Sequence, residues 1–234
     1  MATFAIGDTH GCRRSTEALL ATLNPQTGDC LVFLGDYIDR GPDSKGVLDL
    51  VRQWQNTGVE TVALKGNHEA LLLHAHAQRN TESLERWKKN GGDATMASFG
   101  LANDALDGLP AEYIAWMDAL PTHHRIGDTV FVHAGLNLKI ADPFEDERSL
   151  LWVRHWMDEA VMRRRFPDVF VVHGHTPQER WIIESRLEQQ RPSLDIDAGC
   201  VYASANKEGY LCALHVEERR LVFQPNVEEA LKQT

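Results

Sequence analysis

Cys30-Leu31-Val32-Phe33-Leu34-Gly35-Asp36-Tyr37-Ile38-Asp39-Arg40-Gly41 decides how this chain is read. Five apolar residues run, with no turn residue between, into Gly-Asp-x-x-Asp-Arg-Gly. That is the pattern of a buried strand delivering charge at its C-terminal end. Two carboxylates and a guanidinium, directly after a core strand, are what a site holding metal ions beside a phosphate needs. Four companions repeat the logic, each after a short apolar run: Gly7-Asp8-Thr9-His10-Gly11, Gly66-Asn67-His68-Glu69, Val132-His133-Ala134-Gly135 and His173-Gly174-His175-Thr176.

Outward from this stretch, strand and helix alternate. Thr3 to Ile6 reads as a strand, and Ser15 to Leu23 as a helix with Leu19, Leu20 and Leu23 on one face. Asp43 is placed to cap a helix carrying Val47, Val51 and Trp54, which Gly58 ends. Val59 to Leu64 is a third strand, and Asn67 to Leu73 opens a third helix. Such repetition predicts a mostly parallel, layered α/β sheet whose ligands gather at the carboxyl ends of strands. Residues 78–120 read as a helical insertion beside the site. Thr122 to Val132 is a hairpin about Gly127-Asp128, Leu150 to Arg165 a helix, and Val169 to Val172 a strand. Trp181 to Ile183, Leu194 to Ile196, Tyr210 to His215 and Leu221 to Phe223 read as further strands, giving a second sheet and hence a sandwich with helices outside.

The chain has 234 residues, 43% hydrophobic and 25% charged, with no linker-like break, which predicts one globular domain over 1–234. A formal charge of −10 argues against nucleic acid as a partner, and apolar runs of strand length argue against a membrane span. Cys12, Cys30, Cys200 and Cys212 form no Cys-x-x-Cys pair, and the first residues lack a basic segment followed by an apolar core. The expectation is therefore a cytoplasmic monomer without an export signal.

Two divalent ions close together need a carboxylate to bridge them, with imidazole, carboxylate and amide oxygen completing each shell. Asp8 and His10 alternate along one loop and can face one ion; Asp36 is the natural bridge; Asn67, His133 and His175 can close the other. His68 is left over, which suits an acid held in orientation by Asp39. Arg40 and Arg154 remain for phosphate oxygens, where a planar fork outperforms an ammonium. His74, His76, His123, His124 and His215 lack this context and are read as surface or core residues, and the tryptophans as packing.

Together the five motifs resemble the calcineurin-like metallophosphoesterases, and more narrowly the bacterial phosphoprotein phosphatases of the serine/threonine type. The likeness runs from Asp8 to His175 and on through Asp197-Ala198-Gly199-Cys200. It implies a four-layer αββα sandwich with a dinuclear centre, manganese in many bacterial members, with iron, zinc, nickel, cobalt and magnesium as alternatives. It implies Asp8, His10, Asp36, Asn67, His133 and His175 as ligands, His68 with Asp39 as acid dyad, and Arg40 as phosphate clamp. Arg154 rests on the local pattern Leu150-Leu151-Trp152-Val153-Arg154. The first 70 residues also resemble symmetrical diadenosine tetraphosphatase, which typically lacks the acidic residue at Asp39 and has a longer C-terminal half. The expected activity is hydrolysis of a phosphate monoester, on a protein or a small molecule, by a metal-bridging hydroxide. A nucleotide phosphohydrolase is the alternative, and a non-catalytic scaffold of the same fold the remote one.

Overall fold

The computed structural model describes residues 1–102, 105–203 and 209–228. The first three strand and helix pairs are β1 (Thr3–Ile6) with α1 (Arg13–Leu23), β2 (Cys30–Phe33) with α2 (Ser44–Trp54), and β3 (Glu60–Ala63) with α3 (Asn67–Gln78). Asp43 caps α2 as its chemistry predicts, its carboxylate accepting from Gly46 N–H at 2.8 Å. The insertion holds α4 (Thr81–Trp87), α5 (Asp93–Ser98) and α6 (Ala111–Asp118). Then come the hairpin β4 (His123–Ile126) and β5 (Thr129–Val132), α7 (Glu147–Trp152), α8 (Glu159–Arg165), β6 (Phe170–His173), α9 (Arg180–Glu188), β7 (Ser193–Asp195), β8 (Tyr210–His215) and β9 (Arg220–Pro225).

Among the described residues the strands form two mixed sheets, ordered β3-β2-β1-β8-β9 and β4-β5-β6-β7. The period-2 alternation of the strands explains the layers. Ala5 and Val32 from the first sheet meet Phe131, Val172 and Leu194 from the second in the core between the sheets. Their neighbours Phe4, Ile6, Leu31 and Phe33 point the other way, onto Leu19, Val47, Val51 and Leu72 of the first helical layer. Val130, Val132 and Val171 likewise face away, onto Leu150 and Met162 beneath the second helical layer. Apolar side chains on both faces make these strands continuous apolar runs. The result is the expected four-layer sandwich.

Four local expectations are corrected. Leu150 to Arg165 is not one helix: α7 stops at Trp152, Val153 turns extended at ψ 135°, and Asp158 caps a new helix by accepting from Val161 N–H. The break carries Arg154. Trp181 to Ile183 is not a strand but the first turn of α9, where Ile183 alone is buried and Trp181 is 63% exposed. An apolar run of three cannot separate strand from helix, and the Arg180–Glu184 pair at 2.8 Å marks the helical spacing. The last hairpin, β8 with β9, returns to the first sheet beside β1 rather than extending the second. The helix before β3 ends at Trp54, three residues ahead of the turn that holds Gly58.

Candidate metal centre

All five motifs lie where strands of the two sheets end. Asp8 and His10 follow β1, Asp36 follows β2, Asn67 and His68 open α3 after β3, His133 follows β5 and His175 follows β6. The turns there are tight: His10, Asp36, Asp39, Arg40 and His175 all take positive φ, between 41° and 74°. Each such residue costs about 1–2 kcal/mol, and such strain persists where surrounding structure fixes it.

Asp36 sits between two groups. Its Oδ2 lies 3.5 Å from His10 Nε2 and 3.9 Å from His68 Nε2, while Oδ1 lies 3.4 Å from His133 Nε2. His10, Asp36 and His68 make one compact set of potential ligand atoms, and Asp36, His133 and His175 the other. Asn67 joins the second set, its Oδ1 being 2.9 Å from His133 Nε2 and 2.8 Å from His175 Nδ1. Asp8 lies alongside, its carboxylate accepting from the His175 N–H at 3.1 Å.

The ring nitrogens are sorted by what holds their other side. His10 Nδ1–H donates to Ile38 O at 2.8 Å and His133 Nδ1–H to Leu34 O at 3.0 Å. Each bond fixes a tautomer whose Nε2 lone pair faces Asp36. Burial first, then His68 and Arg40, hold the His10 ring well below its ordinary range, and burial with His133 takes His175 down to about 3. Burial pushes Asp36 up, but His133, His68 and His10 outweigh it and hold the carboxyl well below the usual range. Asp8 is pushed well up, by burial and then by Asp197, Asp36 and Asp195.

Burial opposes it, but Asp36 and Glu69 hold the His133 ring above its ordinary range. Imidazoles converging on buried carboxylates form a donor set that divalent cations complete. The Nε2 of His175 is buried without a hydrogen-bond partner. These residues therefore fit a pair of divalent ions, with the imidazole and oxygen mixture that transition metals favour.

His68 differs. Its Nδ1–H donates to the Asp39 carboxylate at 2.7 Å. Asp39 is fully buried and held from three further directions: Trp87 Nε1–H donates to both its oxygens at 3.0 Å, Thr95 Oγ1–H donates at 2.7 Å, and its own N–H donates to Ser44 Oγ at 3.1 Å. Trp87 and Thr95 belong to the insertion. Trp87 is thus more than packing; nothing in its sequence context marks it, since it lies on the apolar side of a short helix.

Glu69 is the other residue that motif reading left without a role. It accepts from the Asp36 N–H at 2.9 Å, the Tyr37 N–H at 2.8 Å and the Gly66 N–H at 2.8 Å, and so fixes the loop that presents Asp36. A Glu three residues after a helix-capping position is the signal for it. The insertion also grips Arg40, whose N–H donates to Gly91 O at 3.1 Å. Gly91 has φ +105°, and a Cβ there would stand 2.6 Å from Arg40 Cγ, so only glycine suits both torsion and space.

Arg40 Nη1 lies 2.5 Å from His10 Nε2, and its guanidinium stacks over Tyr202 at 5.4 Å. Arg154 reaches across from the α7–α8 break, donating to Thr176 Oγ1 at 2.9 Å. Both arginines line a cavity of about 230 Å³ with Asp36, His68 and His175. A tetrahedral anion there meets two guanidinium forks, and His68 stands at its edge.

A family model described as calcineurin-like phosphoesterase matches residues 1–201. A symmetrical bis(5'-nucleosyl)-tetraphosphatase of Acidovorax sp. (strain JS42) is 34% identical over 142 residues, 58% of this chain and 44% of that protein. The chain therefore spans less than half the length of that relative. Serine/threonine-protein phosphatase 1 of Salmonella typhimurium is 41% identical over 92 residues, 38% of each chain. In fold, the chain is similar to a cold-active protein-tyrosine phosphatase of a psychrophilic Shewanella, with a TM-score of 0.63 at 17% identity, covering 95% of this chain and 80% of that one.

Proposed function

The chain belongs to the calcineurin-like phosphoesterase family and is a hydrolytic phosphoesterase, and from that premise we propose that its substrates are phosphate monoesters, chiefly phosphoserine and phosphothreonine in proteins. The observation that carries this reading is the 2.7 Å bond between His68 and Asp39. An alkoxide is a poor leaving group and needs a strong, oriented acid, whereas a nucleoside diphosphate departs with its charge already spread over oxygens. The Asp39 carboxylate accepts from His68 Nδ1–H and so orients the ring, and Trp87 and Thr95 keep Asp39 from turning away.

On this reading Asp8, His10 and Asp36 would hold one divalent ion and Asp36, Asn67, His133 and His175 the other, manganese being the metal proposed. When bound, the ions supply Lewis-acid polarisation of the phosphate and a water acidic enough to act at neutral pH. The chain's own groups do the rest. Arg40 and Arg154 hold the non-bridging oxygens, His68 Nε2–H gives its proton to the leaving oxygen, and Asp39 steadies the charge before transfer. Residues 1–234 are taken as one domain, with the insertion at 78–120 completing the dyad. Four free, buried cysteines suit a reducing cytoplasm. Among the described residues no helix is long and apolar enough to cross a membrane.

The second reading, symmetrical dinucleoside tetraphosphatase, is favoured by the 34% identical relative. Comparing kcat/KM on phosphoserine and phosphothreonine peptides with that on diadenosine tetraphosphate decides between them. Peptides are expected to be the better substrates, and Asp39→Ala to hurt them more. A tenfold or greater preference for the dinucleotide would replace the first reading with the second.

A further inference from the structure

In a chain with 34 acidic and 24 basic residues, arginines at the surface mostly find carboxylates. Arg13 meets Glu17, Arg180 meets Glu184, and Arg163 and Arg191 both meet Glu159. Arg86 and Arg148 are among those that do not, and the two share one groove. A groove of about 460 Å³ between α3, α4 and α7 is walled by Arg86, Arg148 and His74, floored by Leu71 and Trp152, and lined by no carboxylate. Neither Arg86 nor Arg148 makes an ion pair with any described residue, and both side chains are exposed.

The groove opens beside the catalytic cavity, since Trp152 lines both. Its ring meets the His175 ring at 6.4 Å, and the Arg86 guanidinium covers it at 5.9 Å. The side is also informative. His68, the proposed proton donor, lies in the first turn of α3, the helix whose Leu71 and His74 line the groove. The cavity beyond Arg154 contrasts with it, because Asp195 and Glu159 are among its lining residues. Two cations with no carboxylate in the lining raise the local potential of the groove.

We propose that the groove between α3, α4 and α7 receives the acidic flank of a phosphopeptide substrate. This rests on the phosphoprotein reading above. An extended chain covers about 3.3–3.6 Å per residue, so the two ring contacts place Arg86 within about four residues of the phosphorylated one. The apolar floor takes the stems of glutamates whose heads meet the arginines. A nucleobase, by comparison, would have to displace Arg86 from the Trp152 ring to stack there.

The test measures kcat/KM on phosphoserine peptides carrying glutamate or glutamine two to four positions away, for the unmutated protein and for Arg86→Ser/Arg148→Ser. Nitrophenyl phosphate, which has no flank, is the control, and diadenosine tetraphosphate a further substrate. The unmutated protein is expected to favour the glutamate peptides by about fivefold or more at low ionic strength, a preference that shrinks in 0.5 M salt. The double variant is expected to lose it while turning over nitrophenyl phosphate as before. Equal rates on both peptide sets, or a preference that survives the double substitution, would overturn the groove assignment and leave the monoester reading standing. Cleavage of the dinucleotide with no peptide cleaved would overturn both.

Discussion

The histidines of the site divide into two kinds, and the difference lies in one atom of each ring. His10 and His133 turn Nδ1–H to backbone carbonyls, Ile38 O and Leu34 O, whereas His68 turns it to the Asp39 carboxylate. A carbonyl fixes the ring's orientation and turns Nε2 toward Asp36. A carboxylate accepts the Nδ1 proton and orients the ring so that Nε2–H can be given to a leaving oxygen. Three buried histidines within a few ångströms of Asp36 thus acquire two chemistries from what lies behind them. Ligand and acid are told apart by the far nitrogen.

The comparison breaks most severely if Asp36 is not shared. Asp36→Asn removes the carboxylate common to both groups, and a metal contribution of several kcal/mol corresponds to a loss of about a thousandfold in kcat. Metal content is expected to fall with rate, and excess chelator to abolish activity that manganese restores best. A variant with full metal occupancy and an unchanged rate would remove Asp36 from the centre.

A smaller effect separates the two kinds of histidine. His68→Asn is expected to slow phosphoserine hydrolysis by about a hundredfold or more, within the range for general acid catalysis, yet to slow nitrophenyl phosphate at least tenfold less. His10→Asn should slow both substrates alike and lower bound metal. Equal losses on both substrates in the His68 variant would make His68 a positioning group.

Support of the dyad comes next. Trp87→Phe removes the indole N–H from a buried carboxylate, a bond to a charged group worth about 1.5–3 kcal/mol. About tenfold is expected from kcat on phosphoserine peptides, with bound metal unchanged; metal loss would show that the insertion props the centre itself. The smallest effect belongs to Gly91→Ala, which meets positive φ and the Arg40 side chain together. A rise of a few-fold in KM with little change in kcat is expected, and the reverse split would place Arg40 in transition-state stabilisation alone.

Much of this was legible before any coordinates. Asp8, His10, Asp36, Asn67, His133 and His175 stand after apolar runs, and because every such run is a strand end, one signal locates the strand and its polar cargo together. The failures share a cause. Trp87 and Thr95 donate to the buried Asp39 carboxylate from 48 and 56 residues away, and Ser44 Oγ, 5 residues on, accepts from the Asp39 N–H; only tertiary packing brings them there. The break after Trp152 was hidden because apolar spacing continues across it, although Asp158 is an ordinary cap residue. Positive φ at His10, Asp36, Asp39, Arg40 and His175 carries no sequence mark at all, since none is glycine.

The central claim, that the partner of Nδ1 decides the role of the ring, is tested most directly on Asp39→Asn. Asparagine keeps the size of the side chain and removes its charge. Bound metal per chain is measured alongside kcat on a phosphoserine peptide and on nitrophenyl phosphate. The account predicts unchanged metal content and a fall on the peptide at least tenfold larger than on nitrophenyl phosphate. Loss of metal, or equal falls on the two substrates, would contradict it.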